Sequence, residues 1–312
     1  MHRDRARSRR EPPRSAILGR WSGVAPSDKR LCLFSHFDPQ GRIDPYVIFL
    51  LQSLRSAGFD IVLVSSSPHL DPGDVERARA ICRDILHRTN IGLDFGSWRD
   101  ALAQLGSLDG YQELLLTNDS VYGPLQPFES VFAKMQQREC DFWGTTDCYM
   151  MGRHLQSYFL LLRRSVLDSP VFQGFWKDFV FFRNKDNVIR DYEIGLTARL
   201  QQAGFRYEVL CPAADLAATE AEDSDARHLI DPRVRGLAYD SSPPIAFWQA
   251  LVLRHGFPFV KRELVRDNPY RLRSVARLAD VVAQVGTYDV SLIQAHLKRL
   301  GHDVVFGLEP RS

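Results

Sequence analysis

Apolar and polar residues alternate along this chain in short blocks, and the period of the alternation switches repeatedly between that of a strand and that of a helix. Arg30–Phe37 (RLCLFSHF) reads as a strand, and Pro45–Ala57 places apolar residues at helical spacing up to Gly58. Asp60–Ser65 (DIVLVS) is a second strand. Asp71–Arg83 is a helix opened by Asp71-Pro72, because proline suits the first helical position. Ile85–His87 reads as a short strand, Ser97–Leu105 as a helix, Leu114–Thr117 as a buried strand and Phe128–Gln137 as a helix after Pro127. Asp141–Thr145 and Leu155–Arg163 follow as strands, Pro170–Phe182 and Val188–Ala203 as helices, and Phe205–Leu210 as a last strand. Such alternation predicts an α/β fold with a parallel, or mostly parallel, sheet covered by helices on both faces.

The pattern breaks at Pro212–Asp240, where Glu220, Glu222, Asp223 and Asp225 stand among Ala and Thr. Residues 212–242 therefore read as a loop or a lid beside the sheet. After Pro243-Pro244 the period is helical again, over Ala246–His255, Lys261–Asp267, Leu272–Gln284 and Val290–Leu300. The organisation expected is a basic tail over 1–29, a catalytic α/β domain over 30–211, the loop, and a helical subdomain over 243–312.

Charge changes the picture at one end only. The chain of 312 residues has a net charge of +2, yet residues 1–30 hold nine Lys or Arg against three Asp or Glu, leaving 31 against 35 on the rest. With Pro12, Pro13 and few apolar residues, this start is expected to be disordered up to about Arg30. It suits either a solubilising tail or attraction to an anionic membrane leaflet. The folded part is mildly acidic and has no basic stripe with interleaved aromatics, so nucleic acid is not an expected partner. No apolar run approaches the roughly 20 residues that cross a bilayer. Five cysteines (Cys32, Cys82, Cys140, Cys148, Cys211) without a CxxC pair favour a reducing cytosol over a disulfide framework or a structural zinc site.

The candidate chemistry lies between Arg88 and Leu125. The apolar run Leu114–Leu116 stops abruptly on Thr117-Asn118-Asp119-Ser120, which places an amide, a carboxylate and a hydroxyl at a strand's carboxyl end. Ligands of open α/β sheets gather there. A carboxylate in that position can hold a divalent cation, although the same residues also make an ordinary turn. No GxGxxG follows the first strand, where SHFDPQG stands, and no GxSxG elbow occurs, so a dinucleotide oxidoreductase and a serine hydrolase are both disfavoured.

Six ordered blocks, RTNIGLDFGSWRDAL, TNDSVYGPL, DFWGTT, HLQSYFLLLRRSV, VIRDYEIGLT and GFPFVKRELVRDNP, resemble the rhamnan synthesis protein F family of polysaccharide-building glycosyltransferases. The resemblance implies a GT-A-like nucleotide-binding fold and transfer of a deoxysugar, typically rhamnose from dTDP-rhamnose, to a glycan or lipid-linked glycan acceptor. With the cysteine usage and the basic start, the enzyme is expected in the cytoplasm, peripheral on the inner face of the membrane where that start binds anionic lipid. A GDP- or UDP-sugar donor, or a non-catalytic glycan- or nucleotide-binding partner, is the alternative.

On that reading His36 and its neighbours approach the nucleotide, with a hydrogen-bonded strand-end histidine as the plain alternative. Arg88 pairs with phosphate, and Asn90 and Asp94 bind ribose or sugar hydroxyls. Gly92 and Gly96 let the backbone come close. Asn118, Asp119 and Ser120 stand where such enzymes usually place an Asp-any-Asp motif, but the first acid is an amide. Asp119 is therefore either the ligand of Mg2+ or Mn2+, or part of a site where cations of the protein neutralise the diphosphate. Inverting transfer needs a base, and Glu193 and Asp191 are the candidates, Glu193 first because it lies beside the buried Ile189, Tyr192 and Leu196. Two residues apart on a helix, they do not share a face. His154, Gln156, Ser157, Trp143 and Tyr158 face the acceptor, Trp143 and Tyr158 as sugar-stacking rings with the core as alternative. Lys261, Arg262 and Arg266 form a basic helix face that suits the diphosphate, a lipid-linked acceptor or only solvent, with solvent the default.

Overall fold

In the computed structural model, residues 14–219, 230–231, 236–237 and 241–302 are described. The strands in chain order are β1 (Ile17–Ser22), β2 (Arg30–His36), β3 (Phe59–Ser65), β4 (Asp84–Arg88), β5 (Glu113–Asn118), β6 (Val121–Tyr122), β7 (Phe142–Cys148), β8 (His154–Leu155), β9 (Phe159–Arg163), β10 (Tyr207–Cys211), β11 (Ile230–Asp231), β12 (Gly236–Leu237) and β13 (Val260–Lys261). The main sheet has the order β1-β4-β3-β2-β5-β9-β7-β10, with β8 paired to the end of β7. Strands β4, β3, β2 and β5 are mutually parallel, as are β7 and β10, while β1 and β9 run antiparallel to their neighbours. This is the mostly parallel α/β sheet that the alternating pattern predicts.

Helices cover both faces, and the period of two in the strands sorts their side chains. In β2, Cys32 and Phe34 point into one core and Leu31 and Leu33 into the other; in β5, Leu115 joins the first and Leu114 and Leu116 the second. The first core takes Leu50 and Leu54 of helix Pro45–Ser56, Val75 of helix Pro72–Arg79 and Phe132 of helix Phe128–Gln136. The second takes Phe95 and Trp98 of helix Leu93–Leu105, Phe175 of helix Pro170–Lys177 and Leu200 of helix Gly195–Gln202. Leu251, Val281 and Ile293 of the helices after residue 243 belong to the first core, so these helices extend one face of the sheet and share its core.

Several elements differ from expectation. The segment read as a tail over 1–29 contains β1, whose residues alternate between half-buried and exposed along the edge of β4. Arg20 on β1 pairs with Asp84 at 3.1 Å, so its charge serves strand pairing. Leu155–Arg163 is broken into β8 and β9. Helix Leu93–Leu105 starts four residues earlier than the Ser97 expected, which puts Asp94 in its first turn. Within 212–242, Ala213–Thr219 is helical and β11 pairs with β12; the acidic residues Glu220, Glu222, Asp223 and Asp225 lie outside the described residues. The helix expected to start at Lys261 starts at Arg262, because Val260 and Lys261 form β13, antiparallel to β6.

Strand order positions the site. From β2 the chain moves outward to β3 and β4, then returns to the other side of β2 as β5. The order reverses between β2 and β5, and such a switch point opens a crevice beyond the strands' carboxyl ends. Ser35 and Asn118 are paired in register at that opening.

Candidate active site

A crevice of about 510 Å³ lies at this end of the sheet. Asp94, Asn118, Ser120, His154, Gln156, Ser157, Tyr158, Glu193 and Lys261 line it, so segments from five separate parts of the chain converge there.

Asp94 reaches it from the first turn of helix Leu93–Leu105. Gly92 (φ 76°) and Leu93 (φ 50°) both take left-handed backbone, which turns the chain sharply just ahead of Asp94. The Asp94 carboxylate accepts a hydrogen bond from Asn118 Nδ2 at 2.8 Å. Burial pushes its pKa up, more than hydrogen bonds from Ser35 and Asn118 pull it down, and the charges of Asp119 and Glu193 add to the rise. Asn118 uses its other side-chain atom, Oδ1, to accept from the Ser120 backbone at 3.0 Å and hydroxyl at 2.6 Å.

Glu193 enters from the opposite wall. Residues Lys185–Gln202 form one helical run, but Ile189–Ile194 within it is a π-helix, whose wider turns are frequent at functional sites. Tyr192 is anchored in the core, stacked on Phe179 with ring centroids 4.2 Å apart, and its hydroxyl donates to the Val180 carbonyl at 2.7 Å. With Tyr192 held, the adjacent Glu193 faces the crevice. Its Oε1 accepts from both the backbone N and the hydroxyl of Ser157, at 2.9 and 2.8 Å. Among the described residues no hydrogen bond reaches Oε2, so one carboxylate oxygen is fixed and the other is open to a ligand.

Lys261 comes from β13, opposite Val121 of β6. Its ammonium lies 3.7 Å from the centroid of the Tyr158 ring and 3.2 Å from Ser120 Oγ. Burial lowers its pKa to about 8, against the raising influence of Glu193, Glu263 and Asp94. The next residue, Arg262, reaches the other way and pairs with Asp119 Oδ2 at 3.0 Å while its Nη1 donates to the Asp119 carbonyl.

Several expected site residues lie elsewhere. Arg88 is fully buried and pairs with Asp100 at 2.6 Å, also donating to the Ile91 carbonyl at 2.5 Å, so it braces a loop instead of meeting phosphate. Gly96 is required by that same packing, since a Cβ there would lie 2.3 Å from the Ile91 carbonyl oxygen and 3.0 Å from Arg88. Asn90 is exposed outside the crevice. His36 is a buried strand-end histidine whose Nδ1 meets Ser65 Oγ at 3.0 Å, and burial lowers its pKa. Trp143 is 1% exposed and packs among Phe132 and Phe159, which leaves no face for a sugar. The ring of Tyr158 is occupied by Lys261. Asp191 pairs with Arg190 at 2.6 Å outside the crevice. Ser157, expected on the acceptor side, instead holds Glu193, and Lys261, expected on a basic helix face, lines the crevice from β13.

The donor atoms at the Asn118-Asp119-Ser120 turn do not fit a divalent cation. The Asp119 carboxylate is neutralised by Arg262 and accepts from the Phe37 backbone at 3.4 Å, Asn118 Oδ1 is engaged, and Ser120 faces an ammonium. A second cluster, Asp38, Asp44 and His296, brings ligand atoms within 4.8 Å of one another. There Arg299 bridges both carboxylates, and burial with Arg262 and Arg299 nearby holds His296 neutral, its pKa pushed down to about 3.

The family model of rhamnan synthesis protein F matches residues 61–305 of the chain. An uncharacterized protein y4gN of Sinorhizobium fredii (strain NBRC 101917 / NGR234) is 29% identical over 236 residues, covering 73% of this chain. The chain spans 60% of the length of that relative. Virulence protein VirA of Vibrio anguillarum is 29% identical over 233 residues, covering 70% of this chain and 73% of that protein. Among solved structures, the glycosyltransferase GlyE of Streptococcus pneumoniae TIGR4 is a distant likeness, with 13% identity and a TM-score of 0.41 over 88% of this chain and 64% of its own.

Proposed function

We propose that this chain, which belongs to the rhamnan synthesis protein F family, is a glycosyltransferase of polysaccharide assembly. Its donor is a nucleotide sugar, dTDP-L-rhamnose first, and its acceptor a glycan or lipid-linked glycan. The observation that carries the reading is Glu193, a carboxylate with one oxygen fixed and one open, in a crevice at the switch point of a doubly wound sheet.

An acceptor hydroxyl must lose its proton as its oxygen attacks the anomeric carbon, and Glu193 Oε2 takes that proton. The bond from the anomeric carbon to the diphosphate breaks, the electron pair leaves with the diphosphate, and the sugar's configuration inverts. Ser157 holds Glu193 in one orientation, so the base does not have to be ordered during the reaction. Asp94, in the first turn of helix Leu93–Leu105, and Asn118, at the end of β5, orient donor hydroxyls. His154 and Gln156 stand on the acceptor side.

No helix among the described residues is long and apolar enough to cross a membrane. We place the enzyme at the cytoplasmic face of a membrane, held by the basic residues ahead of β1, where its polymer is built.

Thermal stabilisation by dTDP, UDP and GDP, with CMP as control, tests the donor reading. A preference for dTDP supports rhamnosyl transfer, and a preference for UDP or GDP reassigns the sugar. A folded protein that none of them stabilises is a binding partner without a donor site.

A further inference from the structure

We infer that Lys261 is the cation that receives the donor's diphosphate, so that donor binding needs no divalent metal. This rests on the glycosyltransferase reading of the same crevice. The first ground is position. Strand β13 is paired to β6, the strand directly after Asn118-Asp119-Ser120, and this pairing brings the ammonium to within 3.2 Å of Ser120 Oγ at the switch point of the sheet.

The second ground is the charge left over. Among the described residues no carboxylate forms an ion pair with Lys261, whose near contacts are a hydroxyl and the face of Tyr158. A half-buried ammonium without an ion-pair partner is costly, and a ring face compensates only part of that cost. Lys185, Asp186 and Glu263, also around the crevice, are exposed and screened by solvent. The carboxylates facing Lys261 inside are Asp94 and Glu193, which attract the ammonium from a distance but hold their hydrogen bonds to Asn118 and Ser157 and form no ion pair with it.

The third ground is what has become of the carboxylate that would hold a metal. Asp119 is neutralised by Arg262, the residue next to Lys261, so one dipeptide both removes the metal ligand and supplies the replacement charge. As the bond to the anomeric carbon breaks, negative charge grows on the leaving diphosphate oxygen. An ammonium at that place stabilises it as a metal ion would, without adding a proton to the balance.

The test is calorimetric titration of the full chain with dTDP, UDP and GDP, once in EDTA and once with Mn2+, for wild type, Lys261→Met and Lys261→Arg. Thermal unfolding of each variant checks that it is folded. We expect wild type to bind at least one diphosphate in EDTA, with Mn2+ changing its Kd less than threefold. Lys261→Met should weaken that binding about tenfold to a hundredfold, the usual worth of a charged hydrogen bond, and Lys261→Arg should keep most of it. Binding that appears only with Mn2+ overturns the inference and leaves the glycosyltransferase reading standing, and this arm needs no variant. Equal binding by wild type and Lys261→Met in EDTA also overturns it. If folded wild type binds no diphosphate under either condition, the donor reading falls and the inference with it.

Discussion

Replacing Asp100 by Ala removes the counter-ion of a guanidinium that has no access to water. The Arg88 side chain is 0% exposed and that of Asp100 5%, with 2.6 Å between Arg88 Nε and Asp100 Oδ2. Removing one partner of such a pair leaves a buried charge uncompensated and typically costs about 3 to 5 kcal/mol. For a chain of this size that lowers the melting temperature on the order of 10 °C. The opposite substitution is expected to be milder. In Arg88→Met, Asp100 keeps Arg99 at 3.1 Å and the Ser15 hydroxyl, and lies nearer the surface. The double variant Arg88→Met/Asp100→Leu removes both charges and should recover most of the loss of Asp100→Ala. Differential scanning calorimetry of the three variants gives the coupling, and diphosphate titration of each folded variant gives the donor affinity, expected within threefold of wild type. An Asp100→Ala melting temperature within 2 °C of wild type would refute the brace. So would a tenfold loss of diphosphate affinity in an Arg88→Met protein of unchanged stability, which would return Arg88 to the donor site.

For Glu193→Gln, diphosphate binding should persist while sugar transfer drops by roughly two orders of magnitude or more, the range for a lost general base; an unchanged rate in a coupled diphosphate-release assay removes Glu193 from the mechanism. Asp94→Asn should melt higher than wild type at pH 7 yet bind donor more weakly. The folded pKa of Asp94 is raised, so its contribution to stability is lost as pH rises through that value, and the gain from Asn should vanish in acid. The Lys261 pKa of about 8 predicts two opposite slopes. Diphosphate affinity falls as the ammonium deprotonates above pH 8, whereas this group's share of folding stability rises between about 8 and the ordinary 10.5, because the unfolded chain binds the extra proton. Lys261→Arg should flatten the affinity profile, and a slope that survives in that variant assigns it to another group. Deleting residues 1–13 should weaken binding to anionic vesicles with the melting temperature kept, while deleting 1–29 also removes β1 and should lower it; equal vesicle binding in the 1–13 deletion refutes the membrane role.

The hydrophobic period carried the sheet because strands β2, β3 and β5 are buried on both faces and read as apolar runs whatever their neighbours do. Strand β1 escaped because an edge strand needs only one half-buried face, and Arg20 among its residues looks like tail charge until Asp84 is found beside it. The π-helical turns before Gly195 leave no mark in the composition of IRDYEI, so the acid that faces the crevice could be chosen only by what lay next to the apolar positions. The fate of positive charge was hardest to read, since it depends on which partner the fold brings to each cation. Arg88 meets Asp100 within its own helix–loop unit, and Arg262 meets Asp119 only because β13 pairs with β6. Lys261, carried in by that same pairing, meets a hydroxyl and an aromatic ring. Of these three cations the first two are balanced by the fold itself, and the third has a charge that a bound anion would balance.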